Sequence, residues 1–247
     1  MSVEVVGVRA NNPSFMTLTG TNTWIVGRDP CWIVDPGPLL DDHVAAIVKA
    51  ADDRGGAAGI VVTHDHHDHT EAVGEVSQRL GGVTVHAAEV AGAEPIAGGD
   101  RVGPFEVVAT PGHAPDHLAF VAERACFTGD AVLGAGSVFV APDPGALSGY
   151  MAALESLRAR DLERLYPGHG PEVADPGAHI DQYLAHRRER ERRLVAALDE
   201  GRRSYDDLLD AAWSEVPPEL RDAARLTLRA HLGKLADEGR LPDGVRE

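Results

Sequence analysis

Residues 64–69 read His-Asp-His-His-Asp-His, four histidines and two aspartates in six positions, placed directly after the apolar run 59–63. A short apolar run bounded by glycine is a buried strand, so the cluster is delivered at a strand end, close to a core. That many titratable side chains cannot enter a core without partners. Imidazole and carboxylate are the ligands that suit Zn²⁺ and its borderline neighbours. In an extended or irregular turn His64 and His66 point the same way and can hold one metal ion. Asp68 and His69 come from the next turn of chain and can hold a second.

Two such clusters need more ligands, and three later segments supply candidates: "TPGH" ends on His113, "FTGD" on Asp130, and "YPGHG" contains His169. Each follows a strand-like run and sits beside glycine, which allows a sharp turn and close approach. A single histidine after Pro-Gly is ordinarily a loop residue, so the weight rests on the six-residue cluster. His43, His86, His179, His186 and His231 read as surface or satisfied core residues.

The rest of the chain places these segments. Strand-like runs occupy 3–8, 23–27, 31–35, 59–64, 83–86, 105–110, 117–122 and 125–129. Asp41 reads as the cap of a helix to about residue 53. Thr70 reads as the cap of another, with Val73, Val76 and Leu80 facing inward. A helix over 146–159 follows, then the segment 164–170, which ends in a loop. From about residue 176 only helical periodicity remains, over 177–199, 204–212 and 219–237, and the tail "GRLPDG" reads as a turn or wing. Two parts follow: an α/β part over residues 1–175 and a small helical part over 176–247.

The formal net charge is −16, carried by the first part: residues 1–180 hold 10 Lys and Arg against 24 Asp and Glu, residues 181–247 hold 13 against 15. The α/β part therefore offers no electrostatic footprint for a polyanion, although bound cations would offset some of its charge. The two cysteines, Cys31 and Cys126, lie in strand-like runs and read as reduced, buried thiols. The longest apolar runs are strand-sized, so no membrane span is expected. The opening "MSVEVVGVRANNPSF" does not have the pattern of a secretory signal. A cytoplasmic location is the expectation.

The motif His64-x-His66-x-Asp68-His69, followed in order by His113, Asp130 and His169, resembles the metallo-β-lactamase superfamily of hydrolases over about residues 1–175. The resemblance implies a four-layer αββα sandwich with the site at one edge. It implies two divalent metal ions, Zn²⁺ as first choice, one on His64, His66 and His113, the other on Asp68, His69 and His169, with Asp130 and a hydroxide between them. Asp35, in "IVDPG", would orient a ligand histidine, Asp68 could pass a proton, and His67 fills a variable position. Class B β-lactamases with two zincs commonly carry cysteine where Asp130 stands, which argues against antibiotic hydrolysis. The segment 11–27, "TPGHAPDHLAF" and the helical C-terminal part resemble the β-lactamase-like protein 2 subgroup, whose C-terminal domain is of winged-helix type and whose members are assigned to single-stranded RNA cleavage; others in the wider group hydrolyse thioesters.

The helix over 219–237 carries an inner stripe of Leu220, Ala224, Leu228, Leu232 and Leu235, and beside it Arg221, Arg225 and Arg229. With "HRRERERR" (186–193), these arginines are candidate phosphate contacts, or else they pair with neighbouring carboxylates. Asn22, Thr23 and His117 are candidates for substrate contact, or they hold local structure. The primary expectation is a dinuclear endoribonuclease or phosphodiesterase acting on single-stranded RNA. The alternative is a thioester or other acyl hydrolase.

Overall fold

Alternation within the strands sets the layering. In β2 (Asn22–Val26), Trp24 and Val26 face one core and Ile25 another; in β9 (Leu118–Ala122), Leu118, Phe120 and Ala122 share the first core while Ala119 and Val121 face a third. Both strands are buried along their whole length, as strands covered on both faces must be. The computed structural model describes residues 3–246 of the chain. One sheet takes β1 (Val5–Arg9), β2, β3 (Cys31–Val34), β4 (Ala57–Val61), β5 (Val85–Ala87) and β6 (Glu94–Pro95) in that order. The second runs β11 (Arg164–Pro167), β10 (Ala125–Gly129), β9, β8 (Phe105–Ala109), β7 (Arg101–Val102).

Helices cover the two outer faces. The helix α1 (Asp41–Asp52), the single turn α2 (His67–Thr70) and α3 (Val73–Arg79) follow the first sheet, with Val44, Ile47, Val73 and Val76 in its outer core. On the second sheet, α4 (Ala146–Arg158) and the first half of α5 (Pro176–Asp199) contribute Leu147, Leu154, Leu157, Ile180 and Tyr183. The order is helix, sheet, sheet, helix, and the fold class is α/β. Cys31 and Cys126 are free, buried, and lie in different outer cores.

The second half of α5 packs with α6 (Tyr205–Ala212) and α7 (Arg221–Asp237) around Leu194, Leu198, Leu208, Leu209, Leu228, Leu232 and Leu235. Asp175 caps α5 by accepting from the Ala178 amide, with Pro176 at the first helical position. The tail returns as an isolated bridge between Ser204 and Arg246. A boundary at 175/176 coincides with the start of α5, yet Ile180, Tyr183, Leu184 and Ala230 pack into the core of the α/β part. One continuous helix thus serves both cores.

Several local expectations are corrected. Asp41 lies inside α1, whose cap position is Leu40, with no side-chain bond. Thr70 does not cap the next helix: it ends α2 and its hydroxyl donates to the His66 carbonyl at 3.0 Å, while α3 begins after Ala72. The chain winds a separate turn there, which carries His69 inward. The two-residue strands β6 and β7 are too short to leave a period in the sequence. No helix among the described residues is long and apolar enough to cross a membrane.

Candidate metal centre

Five strands end at one edge of the sandwich. Asp35 follows β3, His64 follows β4, His113 follows β8, Asp130 follows β10 and His169 follows β11. Two glycines are required for this convergence. A Cβ on Gly168 would stand 2.5 Å from Asp130 Oδ1 and 2.7 Å from His69 Cε1; one on Gly129 would stand 2.6 Å from Thr63 Oγ1 and 2.8 Å from His117 Nε2.

The seven expected ligands come together in three overlapping groups: His64, His66 and His113; His64, His69 and Asp130; Asp68, His69 and His169, with donor atoms inside each group within 4.8 Å of one another. His66 Nδ1 lies 2.9 Å from His64 Nε2 and 3.0 Å from His113 Nε2. Asp130 stands between the groups, Oδ2 3.6 Å from His113 Nε2 and 3.3 Å from His169 Nε2, Oδ1 3.6 Å from His69 Nε2. Asp68 Oδ2 is 3.2 Å from His169 Nε2 and accepts from the Thr21 hydroxyl at 3.2 Å. Two of these buried donors, His69 Nε2 and Asp130 Oδ1, have no hydrogen-bond partner. Buried polar atoms are rarely left so, and a cation shared by the groups would satisfy both. The donor set therefore fits divalent metal ions.

The electrostatics divide the site in two. Burial pushes His64 and His113 down, His113 to about 4, so these imidazoles are neutral and ready to ligate. Burial acts the same way on His169 and His69, but the carboxylates of Asp130 and Asp68, with Asp35 for His69, outweigh it; His169 is held up at about 10. Asp68 is buried, which raises it, yet His169 and His69 hold it down at about 2. The carboxylate side thus collects positive charge wherever it can.

Hydrogen bonds settle which ring nitrogens face the centre. The Thr63 hydroxyl donates to Asp35 Oδ2 at 2.8 Å, so His64 Nδ1, 3.0 Å from that hydroxyl, must donate to it, and His64 Nε2 is free for the site. His69 Nδ1 donates to Asp35 Oδ2 at 2.9 Å. His113 Nδ1 turns to the Phe139 carbonyl at 3.3 Å and His169 Nδ1 to the Gly20 carbonyl at 3.5 Å. His67 is exposed.

Most of the residues expected to contact substrate are engaged within the fold. Asn22 is buried and its amide donates to the carbonyls of Pro167 and Gly170, fixing the His169 loop. Thr23 is fully buried, donating to the Asp35 carbonyl at 2.6 Å and lying 3.0 Å from His43 Nε2. His117 accepts from the Asp130 amide at Nε2 and meets Thr110 Oγ1 at Nδ1, 2.7 Å away, so neither nitrogen can reach a leaving group. Arg221 is paired with Asp210 at 2.7 Å and Arg225 with Asp206 at 2.6 Å, while Arg229, half-buried, continues their stripe. Arg187 and Arg190 are buried, stacked over Tyr150 and Trp213. Nor is His231 a satisfied core residue: it is buried, and neither ring nitrogen has a partner.

Sequence reasoning missed the cleft beside the metal donors. It holds about 250 Å³ and is lined by His113 and Asp130 together with Phe15, Met16, Phe139 and Trp213. Phe15 and Met16 are 67% and 47% exposed. Adjacent large apolar residues inside the polar segment "NNPSFMTLTG" were the available signal.

The profile described as "Metallo-beta-lactamase superfamily" matches residues 92–169, and that of a "Beta-lactamase associated winged helix domain" matches 204–242. A "Beta-lactamase-like protein 2 homolog" of Caenorhabditis elegans is 29% identical over 97% of this chain and 86% of its own length. An "Atrochrysone carboxyl ACP thioesterase" of Aspergillus chevalieri is 35% identical over 81% of this chain and 67% of its own. The crystal structure of a beta-lactamase domain protein from Burkholderia ambifaria superposes with a TM-score of 0.82 at 21% identity, covering 95% of this chain and 86% of that one.

Proposed function

The chain belongs to the metallo-beta-lactamase superfamily and is a metal-dependent hydrolase, and we propose that its substrates are acyl thioesters whose acyl group lies in the apolar cleft. The observation that carries this reading is the continuity of that cleft with the metal donors: His113 and Asp130 line it together with largely aromatic and aliphatic side chains, with Arg187 and Arg190 beside them. Such a wall binds an apolar or aromatic acyl group by burial. The thioesterase name of the fungal relative agrees with it.

His64, His66 and His113 would hold one divalent ion and Asp68, His69 and His169 a second, with Asp130 between them; Zn²⁺ suits these ligands. When bound, the ions supply a Lewis acid and a water acidified toward neutral pH. The chain's own residues do the rest. Asp35 and Thr63 hold two ligand rings in their working orientation. Asp68, ionised and with 29% of its side chain exposed, would hold its ion and pass a proton as the thioester is cleaved. Phe15 and Met16 shield the acyl group from water.

Single-stranded RNA is the competing substrate, and it needs cations free to meet phosphates. Arg221 and Arg225 are committed to Asp210 and Asp206, and Arg187 and Arg190 are buried. The deciding experiment follows thiol release from an aromatic acyl thioester by Zn²⁺-loaded protein, beside a labelled single-stranded RNA and the Asp68→Asn variant. Thiol release by the parent, lost in the variant, with RNA intact, is the expected result. RNA cleavage without thioester turnover overturns the assignment.

A further inference from the structure

Asp35 has a φ of +52°, in the left-handed region, and it is not glycine. Such a backbone persists only where its surroundings over-determine it. The turn it opens is tied to the metal donors twice. Its carboxylate accepts from His69 Nδ1 and from the Thr63 amide, and the Gly37 amide donates to the His69 carbonyl at 3.1 Å. What holds the turn in place is a chain of two buried side chains that no step of the hydrolysis uses. Thr23, on β2, donates its hydroxyl to the Asp35 carbonyl at 2.6 Å. His43, in the first turn of α1, stands 3.0 Å from that hydroxyl at Nε2.

A hydroxyl has one proton, and a carbonyl can only accept it. Thr23 therefore gives its proton to Asp35 and must itself accept from His43 Nε2–H. Burial keeps that ring neutral, and Nδ1, which has no partner, is then the nitrogen without a proton, so no buried N–H goes unmet. The backbone of the turn passes close against both side chains: a Cβ on Gly37, at φ +83°, would stand 2.8 Å from His43 Nε2 and 3.4 Å from Thr23 Oγ1. We propose that Thr23 and His43 are positioning residues for the metal centre. His43 orients the Thr23 hydroxyl, Thr23 holds Asp35 in its left-handed turn, and Asp35 presents its carboxylate to His69 and, through Thr63, to His64. The inference rests on the metal reading of these histidines and is independent of the choice of a thioester as substrate.

The test sets Thr23→Val, which keeps the shape and removes the hydroxyl, beside Thr23→Ser, which keeps the hydroxyl. It sets His43→Leu beside His43→Gln, whose Nε2 can donate where the ring did. Zn²⁺ affinity, measured by chelator competition, should fall about tenfold in Thr23→Val and His43→Leu, the lower end of what partners of ligand histidines contribute, and return toward the parent value in Thr23→Ser and His43→Gln. In metal-free protein the Thr63 and Gly37 amides should exchange with solvent about tenfold faster in Thr23→Val and His43→Leu, while the amides of β9 keep their parent rates. Should His43→Leu fail to fold, the two Thr23 variants decide. Parent affinity and parent exchange in Thr23→Val would overturn the role, and so would losses that Thr23→Ser and His43→Gln do not restore, since those would come from packing alone. If the parent itself binds no Zn²⁺, the metal reading fails and the role falls with it, even where the amide exchange shows that the pair holds the turn.

Discussion

Asp35 Oδ2 stands 2.9 Å from His69 Nδ1, and the same carboxylate accepts the Thr63 amide at 2.7 Å and the Thr63 hydroxyl at 2.8 Å. Through Thr63 it also fixes His64, whose Nδ1 lies 3.0 Å from that hydroxyl. One buried carboxylate thereby sets the tautomer of a candidate ligand histidine in each group of donors. Asp35→Asn leaves one acceptor oxygen for three donors and turns an N–H₂ toward one of them. Metal affinity should fall about 10–100-fold with the fold retained, measured by chelator competition with circular dichroism as the control. Unchanged affinity would mean that packing alone orients the rings.

Gly168 tests how closely the loops converge. A Cβ there meets Asp130 Oδ1 at 2.5 Å and His69 Cε1 at 2.7 Å, neither of them the far end of a flexible chain. Gly168→Ala should cost about 1–3 kcal/mol in stability and lower metal content per chain more than Gly74→Ala, where a Cβ meets nothing within 4 Å. Equal metal content in the two variants would show that the edge can relax.

The metal donors were legible because their chemistry is local. Four candidate ligands lie within six residues after one strand, and the other three sit beside glycines at strand ends, so residue type and spacing carry the pattern. Asn22, Thr23 and His117 were not, because their roles depend on partners 7 to 148 positions away along the chain, such as Thr110 for His117 and Gly170 for Asn22. The arginine stripe was half legible. Its spacing on α7 is visible, but the aspartates that face it belong to α6, and only the packing of the two helices brings them together. The alternation that defines the layers was visible in β2 and β9 and absent from two-residue β6 and β7.

Those ion pairs make a prediction of their own. Exposed pairs contribute about 0–1 kcal/mol, so Arg221→Ala and Arg225→Ala should lower stability by no more than that. Neither should change thioester turnover nor its dependence on salt. A steep salt dependence that flattens in these variants would return the stripe to a role with polyanions.

Acid should destabilise the helical part through its histidines. Burial, then Arg187 and Lys234, push His231 down to about 3, and burial with Arg187 and Arg190 pushes His186 to about 4. In the unfolded chain both titrate near the ordinary histidine value of 6.5. From pH 6.5 down to those values the unfolded state binds more protons, so stability rises with pH and is lost on acidification. Replacing His231 by Phe should flatten the Tm-against-pH curve in that window by about one proton's worth of slope. A slope unchanged by the substitution would assign the acid lability elsewhere.

Phe15 is the cleanest probe of the cleft. It is 67% exposed, so the folded chain gains little from its ring, yet the ring forms part of the wall that leads to His113 and Asp130. Full burial of such a side chain contributes about 1.5–3 kcal/mol, and a ring that also stays partly open to solvent would give a fraction of that. Phe15→Ala should therefore leave Tm unchanged and raise KM for an aromatic acyl thioester by about 3–10-fold, with kcat nearly constant, the signature of lost uniform binding. An acetyl thioester, too short to reach the ring, should show no difference between parent and variant. If KM for both substrates rises equally, the ring acts on the loop that carries it and not on the acyl group; if neither changes, the acyl group does not occupy this cleft.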